Sequence, residues 1–180
     1  MDRGEASEEE GQKLVRSLLT AGLDTTVYGL GNALFSFATQ PDAWDPLRAD
    51  PSLSRSAFEE VLRFESSVQT FFRTTTCETE LGGVRLQDGA KILLFLGAAN
   101  RDPRRWEVPD RFDIMRRAFG HVAFGYGIHS CVGQMVARLE GEIVLGAFAR
   151  RVERLELTGE PLRRMNNTLR GLASLPLQVT

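Results

Sequence analysis

"FGYGIHSCVGQ", residues Phe124 to Gln134, sets a cysteine two residues after a histidine and places glycines around it at 125, 127 and 133. An apolar pattern of helical period begins directly behind it: Val132, Met135, Val136, Leu139, Ile143 and Phe148 fall on one face of a helix running from about Cys131 to Arg151. Cys131 therefore stands where a loop becomes a helix. Free N–H groups and the positive end of the helix dipole favour an anion at such a place, and so favour the thiolate. Gly125 and Gly127 permit backbone angles that a side chain forbids. Gly133 removes bulk from the first helical turn. Together these residues present a thiolate beside a large flat object that approaches the backbone closely.

The rest of the chain narrows what that object is. The 180 residues suggest one domain, 1–180, long enough to bury most of its apolar surface. Lys plus Arg is 22 and Asp plus Glu is 24, a net charge of −2, which argues against nucleic acid or a membrane surface as the main partner. Two isolated cysteines, Cys77 and Cys131, make no disulfide framework and point to a reducing cytoplasm. The opening "MDRGEASEEEG" is acidic and polar, unlike a signal or transit peptide. The longest uncharged apolar run, near Ile92 to Ala99, is too short to span a bilayer.

The expected architecture is mainly helical with small sheets. Ser7 and Glu10 form a capping-box pattern, and the apolar residues Leu14, Leu18, Val27, Leu30, Leu34 and Phe37 follow a helical period up to Pro41. Residues 14–39 make a helix of roughly 39 Å at 1.5 Å per residue. Glycines 22, 29 and 31 inside it imply close packing on both sides. A short helix over 41–49 and another from Asp50-Pro51 to about Phe64 follow. "RTTTCETEL", "VRL" and "AKILLFL" read as strands separated by turns at Gly82-Gly83 and at "QDG". Residues 100–123 hold two prolines and no period, and loops of that length are uncommon unless functional. Short strands close the chain near 153–157 and 175–179.

Several readings of Cys131 compete. A buried structural cysteine at a helix start is the plainest. A zinc site needs about four ligands, and Cys77, Cys131, His121 and His129 lack paired spacing. A hydrolase nucleophile needs a base, and His129 on the same loop is poorly placed to be one. A haem-thiolate site needs one cysteine, no local second ligand and a glycine-eased loop, and it fits best.

Phe124, Gly127, His129, Cys131 and Gly133 match the haem-binding loop of the cytochrome P450 family, which this stretch resembles: Phe, two residues, Gly, one residue, Arg or His, one residue, Cys, one residue, Gly. Three more segments resemble family motifs, in the family's order. "AGLDTT" (21–26) is similar to the oxygen-activation motif of the long central helix, with Asp24 and Thr25 as its acid–alcohol pair. "EEVLRF" supplies Glu60 and Arg63 at the Glu-x-x-Arg spacing. "VPDRFD" supplies Arg111 as the third member of that ion-pair triad. Taken singly, Glu60 and Arg63 read as an exposed helix pair worth a few tenths of a kcal/mol. Thr25 alone reads as a hydroxyl bonding back to its own helix.

The resemblance implies the carboxyl-terminal half of the family's fold, haem b as cofactor, Cys131 as the axial ligand of its iron, and Phe124 near the sulfur. It implies a cradle at Ala21, Gly22, Gly125 and Gly133, and propionate contacts from Arg73, His121 and His129. The implied reaction inserts one atom of O2 into a small organic substrate, with electrons from a ferredoxin and its reductase. "LLTAGLDTT", "LRFESSVQTFFRTTT" and "NNTLRGLASLPLQV" resemble most a bacterial branch that oxidises para-substituted benzoates. By that resemblance Arg16, Ser17 and Thr20 hold the substrate carboxylate while Val68 and Phe71 line an aromatic slot. Members of the family are roughly twice this length, and the helices they place before the central one have no counterpart here. The alternative is a truncated, catalytically incompetent haem-binding fragment; a zinc or cysteine-hydrolase module is a remote third.

Overall fold

The computed structural model describes residues 6–180. The acidic opening over residues 1–5 lies outside the described residues. Helix α1 spans Glu8–Thr39, α2 Trp44–Ala49, α3 Ser54–Glu65, α4 Leu96–Ala99 and α5 Gln134–Arg151. Strands β1 (Thr70–Thr74) and β4 (Lys91–Phe95) pair antiparallel, as do β2 (Thr79–Leu81) and β3 (Val84–Leu86), β5 (Leu155–Leu157) and β8 (Leu177–Val179), and β6 (Leu162–Arg163) and β7 (Leu172–Ser174). The result is the expected mainly helical chain with small sheets.

α1 starts six residues earlier than the apolar period suggests, because its capping box works: Glu10 N–H donates to Ser7 Oγ at 3.3 Å, and Ser7 N–H donates to Glu10 Oε2 at 2.8 Å. It ends at Thr39, one residue short of the Gln40–Pro41 break. Its two halves differ. Tyr28, Gly29, Asn32, Ala33, Ser36 and Phe37 are buried, whereas Leu14, Val15, Leu18, Leu19, Leu23 and Val27 are all exposed, Leu19 at 71%. The expectation of glycines packed on both sides holds only at Gly29, where an added Cβ would lie 3.6 Å from Phe58; beside Gly22 and Gly31 there is open space.

The core sits between the second half of α1, α2, α3, the inner face of α5 and the loop that follows α4. Phe37 is fully buried and meets Trp44 and Phe112 edge-on, with ring centroids 5.1 and 5.5 Å apart. α5 packs by a face that its apolar period does not mark. Of the apolar stripe, Val132 just before the helix and Met135, Val136, Leu139 and Ile143 on it are exposed, Phe148 is half-buried against the core, and the buried residues are Gly141, Leu145, Gly146 and Ala149. The reason is steric. A Cβ at Gly141 would lie 2.3 Å from the Phe58 ring, so only the small-residue face can approach α3 this closely.

A helix stabilised chiefly by packing opens where packing ends. In the isolated chain, amides over residues 8–24 should therefore exchange at least about 100-fold faster than those over 28–37. Uniformly slow exchange along all of α1, measured by NMR or mass spectrometry, would defeat this division of the helix.

Candidate functional site

The cysteine loop is built as the glycines require. Gly125 (φ +72°) and Gly127 (φ +63°) are both left-handed, and a Cβ at Gly125 would lie 2.7 Å from the His129 carbonyl oxygen. A 3-10 turn over Gly127–His129 carries the chain to Cys131, whose N–H donates to the Phe124 carbonyl at 2.8 Å. That bond closes the loop and pins Cys131 to Phe124. The helix begins three residues later than the apolar pattern suggests, at Gln134, with Gly133 at its cap. A Cβ on Gly133 would lie 3.9 Å from Cys131 Sγ.

Cys131 is free and exposed, which removes the reading of a buried structural cysteine. Around it Tyr126, Ile128 and Val132 are also exposed, Ile128 at 96%. Apolar side chains of that size turned to the outside beside a thiol mark a surface that something apolar covers. Cys77, also free and exposed, lies between β1 and β2, away from any such loop. Among the described residues no three His, Cys, Asp or Glu side chains cluster as metal ligands do, and no helix is long and apolar enough to cross a membrane.

Behind the loop, Phe124 is held by a polar cage. The Arg138 guanidinium lies over its ring, 4.5 Å from the centroid, and donates to Glu59 Oε1. Glu59 Oε2 bonds His121 Nε2 at 2.8 Å, and His121 Nδ1 accepts the Ala123 N–H at 3.1 Å. With Nδ1 accepting, Nε2 is the ring nitrogen that carries the proton. Burial pushes the Glu59 carboxyl up, but the hydrogen bonds from His121 and Arg138 outweigh it and hold it below the usual range. This corrects the expectation for His121. Its side chain is 1% exposed and both ring nitrogens are engaged inside the protein, so it has no donor left for a propionate. His129 is exposed, and the half-buried Arg73 donates only to the neighbouring Phe72 carbonyl, at 2.8 Å.

The ion-pair triad is also redrawn. Arg63 and Glu60 are fully buried rather than an exposed helix pair, joined through Nε–Oε2 at 2.7 Å and Nη2–Oε1 at 2.8 Å. The third member is Arg116, whose Nε reaches Glu60 Oε1 at 3.3 Å. Arg111 instead turns its guanidinium outward to Asp113 and contributes its carbonyl oxygen, which accepts from both Arg63 and Arg116. Six arginines lie between 101 and 117, and local spacing could not say which one turns inward.

On α1, Thr25 Oγ1 donates to the Ala21 carbonyl at 2.8 Å, and Thr20 Oγ1 to the Arg16 carbonyl at 2.9 Å. Thr25 is half-buried, whereas Arg16, Ser17, Thr20, Ala21, Gly22 and Asp24 are exposed. Phe71 is exposed on β1, and half-buried Val68 forms an isolated bridge to Leu169. The partner segment 166–170 opens the stretch "NNTLRGLASLPLQV", but nothing in its composition announces the pairing with Val68.

A mainly helical fold that holds an exposed cysteine on a glycine-eased loop, among uncovered apolar side chains, has the features that a haem-thiolate protein needs. The family description "Cytochrome P450" matches residues 1–179. Cytochrome p450 CYP199A2 of Rhodopseudomonas palustris is 62% identical over 179 residues, which are 99% of this chain and 43% of that protein. The 6-deoxyerythronolide B hydroxylase of Saccharopolyspora erythraea is 37% identical, over 99% of this chain and 45% of its own length. Among solved structures, cytochrome P450 CYP109Q5 from Chondromyces apiculatus superposes with a TM-score of 0.93 at 36% identity, covering 100% of this chain and 47% of that one. P450BioI, solved with a hexadec-9Z-enoic acid-ligated acyl carrier protein, gives 0.93 at 36% identity, over 97% and 46%. The chain belongs to the cytochrome P450 family. It spans less than half the length of the curated relatives it matches. The family's cofactor is haem b, and the residues present fit it: the exposed thiol, the bare glycines and the apolar rim are what a flat macrocycle bonded through sulfur requires.

Proposed function

We propose that this chain is the haem-binding and oxygen-activating part of a monooxygenase that inserts one atom of O2 into a small organic substrate. The observation that carries the reading is Cys131, free and exposed at the end of its glycine-eased loop with Phe124 bonded to its backbone. Cys131 would be the sulfur ligand of the haem, Gly133 is bare beside the sulfur while Gly125 allows the tight loop that presents it, and Ala21 and Gly22 would complete the cradle. Arg73 and His129 supply cations or donors to the propionates. When bound, the haem iron supplies the activation of O2, favoured by electron density from the thiolate.

The chain's own part is proton control. Thr25 bonds the Ala21 carbonyl and so leaves that turn of α1 able to admit a small polar molecule. Asp24, exposed one residue earlier, takes protons from solvent and passes them toward Thr25. The residue patterns support a para-substituted benzoate as substrate, with Arg16, Ser17 and Thr20 at its carboxylate and Val68 and Phe71 along its ring. A ferredoxin with its reductase is the electron donor, and the location is cytoplasmic.

The test uses haem-loaded protein complete with the preceding part of the family fold. Thr25→Ala should bind 4-methoxybenzoate and accept electrons at near-parental rates, yet lose about 10-fold in product per electron, the difference appearing as peroxide. Asp24→Asn should slow turnover and leave binding unchanged. Tight coupling of electrons to product in Thr25→Ala would sink the role given to Thr25. A second reading, a haem-binding fragment without turnover, is favoured by the uncovered apolar stripes on α1 and α5. Product formation by the haem-loaded 180 residues alone, supplied with electrons and O2, separates the two: turnover favours the first reading and haem binding without product the second.

A further inference from the structure

Three parts of the chain that carry proposed substrate contacts or run beside them meet at one buried carboxylate. Glu65 is the last residue of α3 and is 3% exposed. Its Oε2 atom accepts from two guanidinium groups, Arg163 Nη2 at 3.0 Å and Arg170 Nε at 2.9 Å. Arg163 stands on β6 and also donates to Asn32 Oδ1 of the long helix at 2.8 Å. Asn32, wholly buried, returns two bonds through Nδ2, to Ser67 Oγ at 3.2 Å and to the Arg170 carbonyl at 2.9 Å. One cluster thus ties α1, the end of α3 and the β6–β7 segment together.

The backbone repeats the connection. Arg170 N–H donates to the Ser67 carbonyl at 2.8 Å, Gln69 N–H to the Thr168 carbonyl at 2.7 Å, and Val68 bridges Leu169 between them. The segment carrying Val68 and Phe71 is therefore not a free strand edge. Its position depends on where 167–170 sits, and that depends on the two arginines at Glu65. The turn between α3 and this segment is itself stiff. Ser66 holds a left-handed φ of +47°, and its hydroxyl accepts from Asn100 Nδ2 at 2.8 Å.

We propose that Glu65 is a positioning residue for substrate recognition: by anchoring Arg163 and Arg170 to Asn32 it sets the distance between the Val68–Phe71 segment and α1, and so the width of the slot they border. The proposal rests on the assignment of that slot to substrate made above. A buried carboxylate shared by two cations is suited to the task, because the charge-assisted bonds are directional and removing the carboxylate leaves the cations with no reason to converge.

Two probes distinguish this role from general support of the fold. In haem-loaded protein complete with the preceding part of the family fold, imidazole reports access to iron alone, while 4-phenylimidazole also reports the walls through its ring. In Glu65→Gln, imidazole affinity should stay within about twofold and 4-phenylimidazole affinity should fall about tenfold. Amide exchange at Gln69 and Arg170 should accelerate by about tenfold or more. Arg170→Gln, at a half-exposed side chain, should show the same pattern and decides the matter if Glu65→Gln fails to take up haem. Parallel loss of both probes, or no change in either with exchange unaltered, overturns the proposal. If the parent protein lacks a thiolate-type carbon monoxide band, the haem reading has failed, and exchange at Gln69 and Arg170 alone still decides whether Glu65 positions the segment.

Discussion

Cys131→Ala should abolish the thiolate-type absorption band of the reduced, carbon-monoxide-bound protein, while Cys77→Ala should leave it intact. This is an all-or-none expectation, because an iron–sulfur bond is made by one thiolate or not at all. The two cysteines are both exposed, so accessibility alone does not choose between them. The loop does: Cys131 is pinned by its own N–H to Phe124 and its sulfur lies beside the bare Gly133, with exposed apolar side chains on both sides. Cys131→His should also lose the band, any remaining absorption lying at the imidazole position. Substituting an exposed side chain should change the stability of the haem-free chain by no more than about 0.5 kcal/mol. Loss of the band with an unchanged haem-free urea midpoint therefore isolates the ligand role. Survival of the band in Cys131→Ala and its disappearance in Cys77→Ala would overturn the assignment.

Arg63→Ala should cost about 3–5 kcal/mol, a large share of the 5–15 kcal/mol typical of a domain. Arg63 is fully buried and forks onto both oxygens of Glu60. Its remaining N–H groups reach the carbonyls of Asn100 and Pro109, each at 2.9 Å, and of Arg111 at 3.3 Å. One guanidinium thus anchors the structureless stretch between α4 and the cysteine loop onto α3. Glu60 reinforces it by accepting the Asp113 N–H at 2.9 Å. Truncation strips Glu60 of its buried cationic fork, leaving it Arg116 and the Asp113 N–H, and leaves the Asn100 and Pro109 carbonyls without their side-chain donor. Lysine cannot replace the fork, so Arg63→Lys should recover only part of the loss. With a urea slope of about 2 kcal/mol/M, Arg63→Ala moves the midpoint down by about 1.5–2.5 M. Trp106, buried 5.5 Å from the Arg63 guanidinium, offers a fluorescence readout. Arg111→Ala should shift the midpoint little, since its exposed side chain pairs only with Asp113. A large Arg111→Ala effect beside a small Arg116→Ala effect would restore the original triad.

The sequence by itself determined the local features: the capping box that opens α1, the glycine turns between strands, the helical period after the cysteine, and the four motif segments in order. Each depends on residues within a few positions of one another, and short-range backbone geometry and propensity decide them. The tertiary structure alone decided which groups meet across the chain. Periodicity marked an apolar stripe on α5 but could not say that Gly141 and Gly146, rather than Met135 and Leu139, face α3, because that follows from how near Phe58 and Ser54 come. Spacing supplied Glu60 and Arg63 but not Arg116, and it offered His121 to a propionate when Glu59 and the Ala123 amide already hold it. The Glu65 cluster joins residues as far apart as Asn32 and Arg170, linked by no pattern in the sequence. Buried charges pair with whichever partner the packing delivers, since an unpaired one is too costly to leave behind, and delivery is a property of the whole fold.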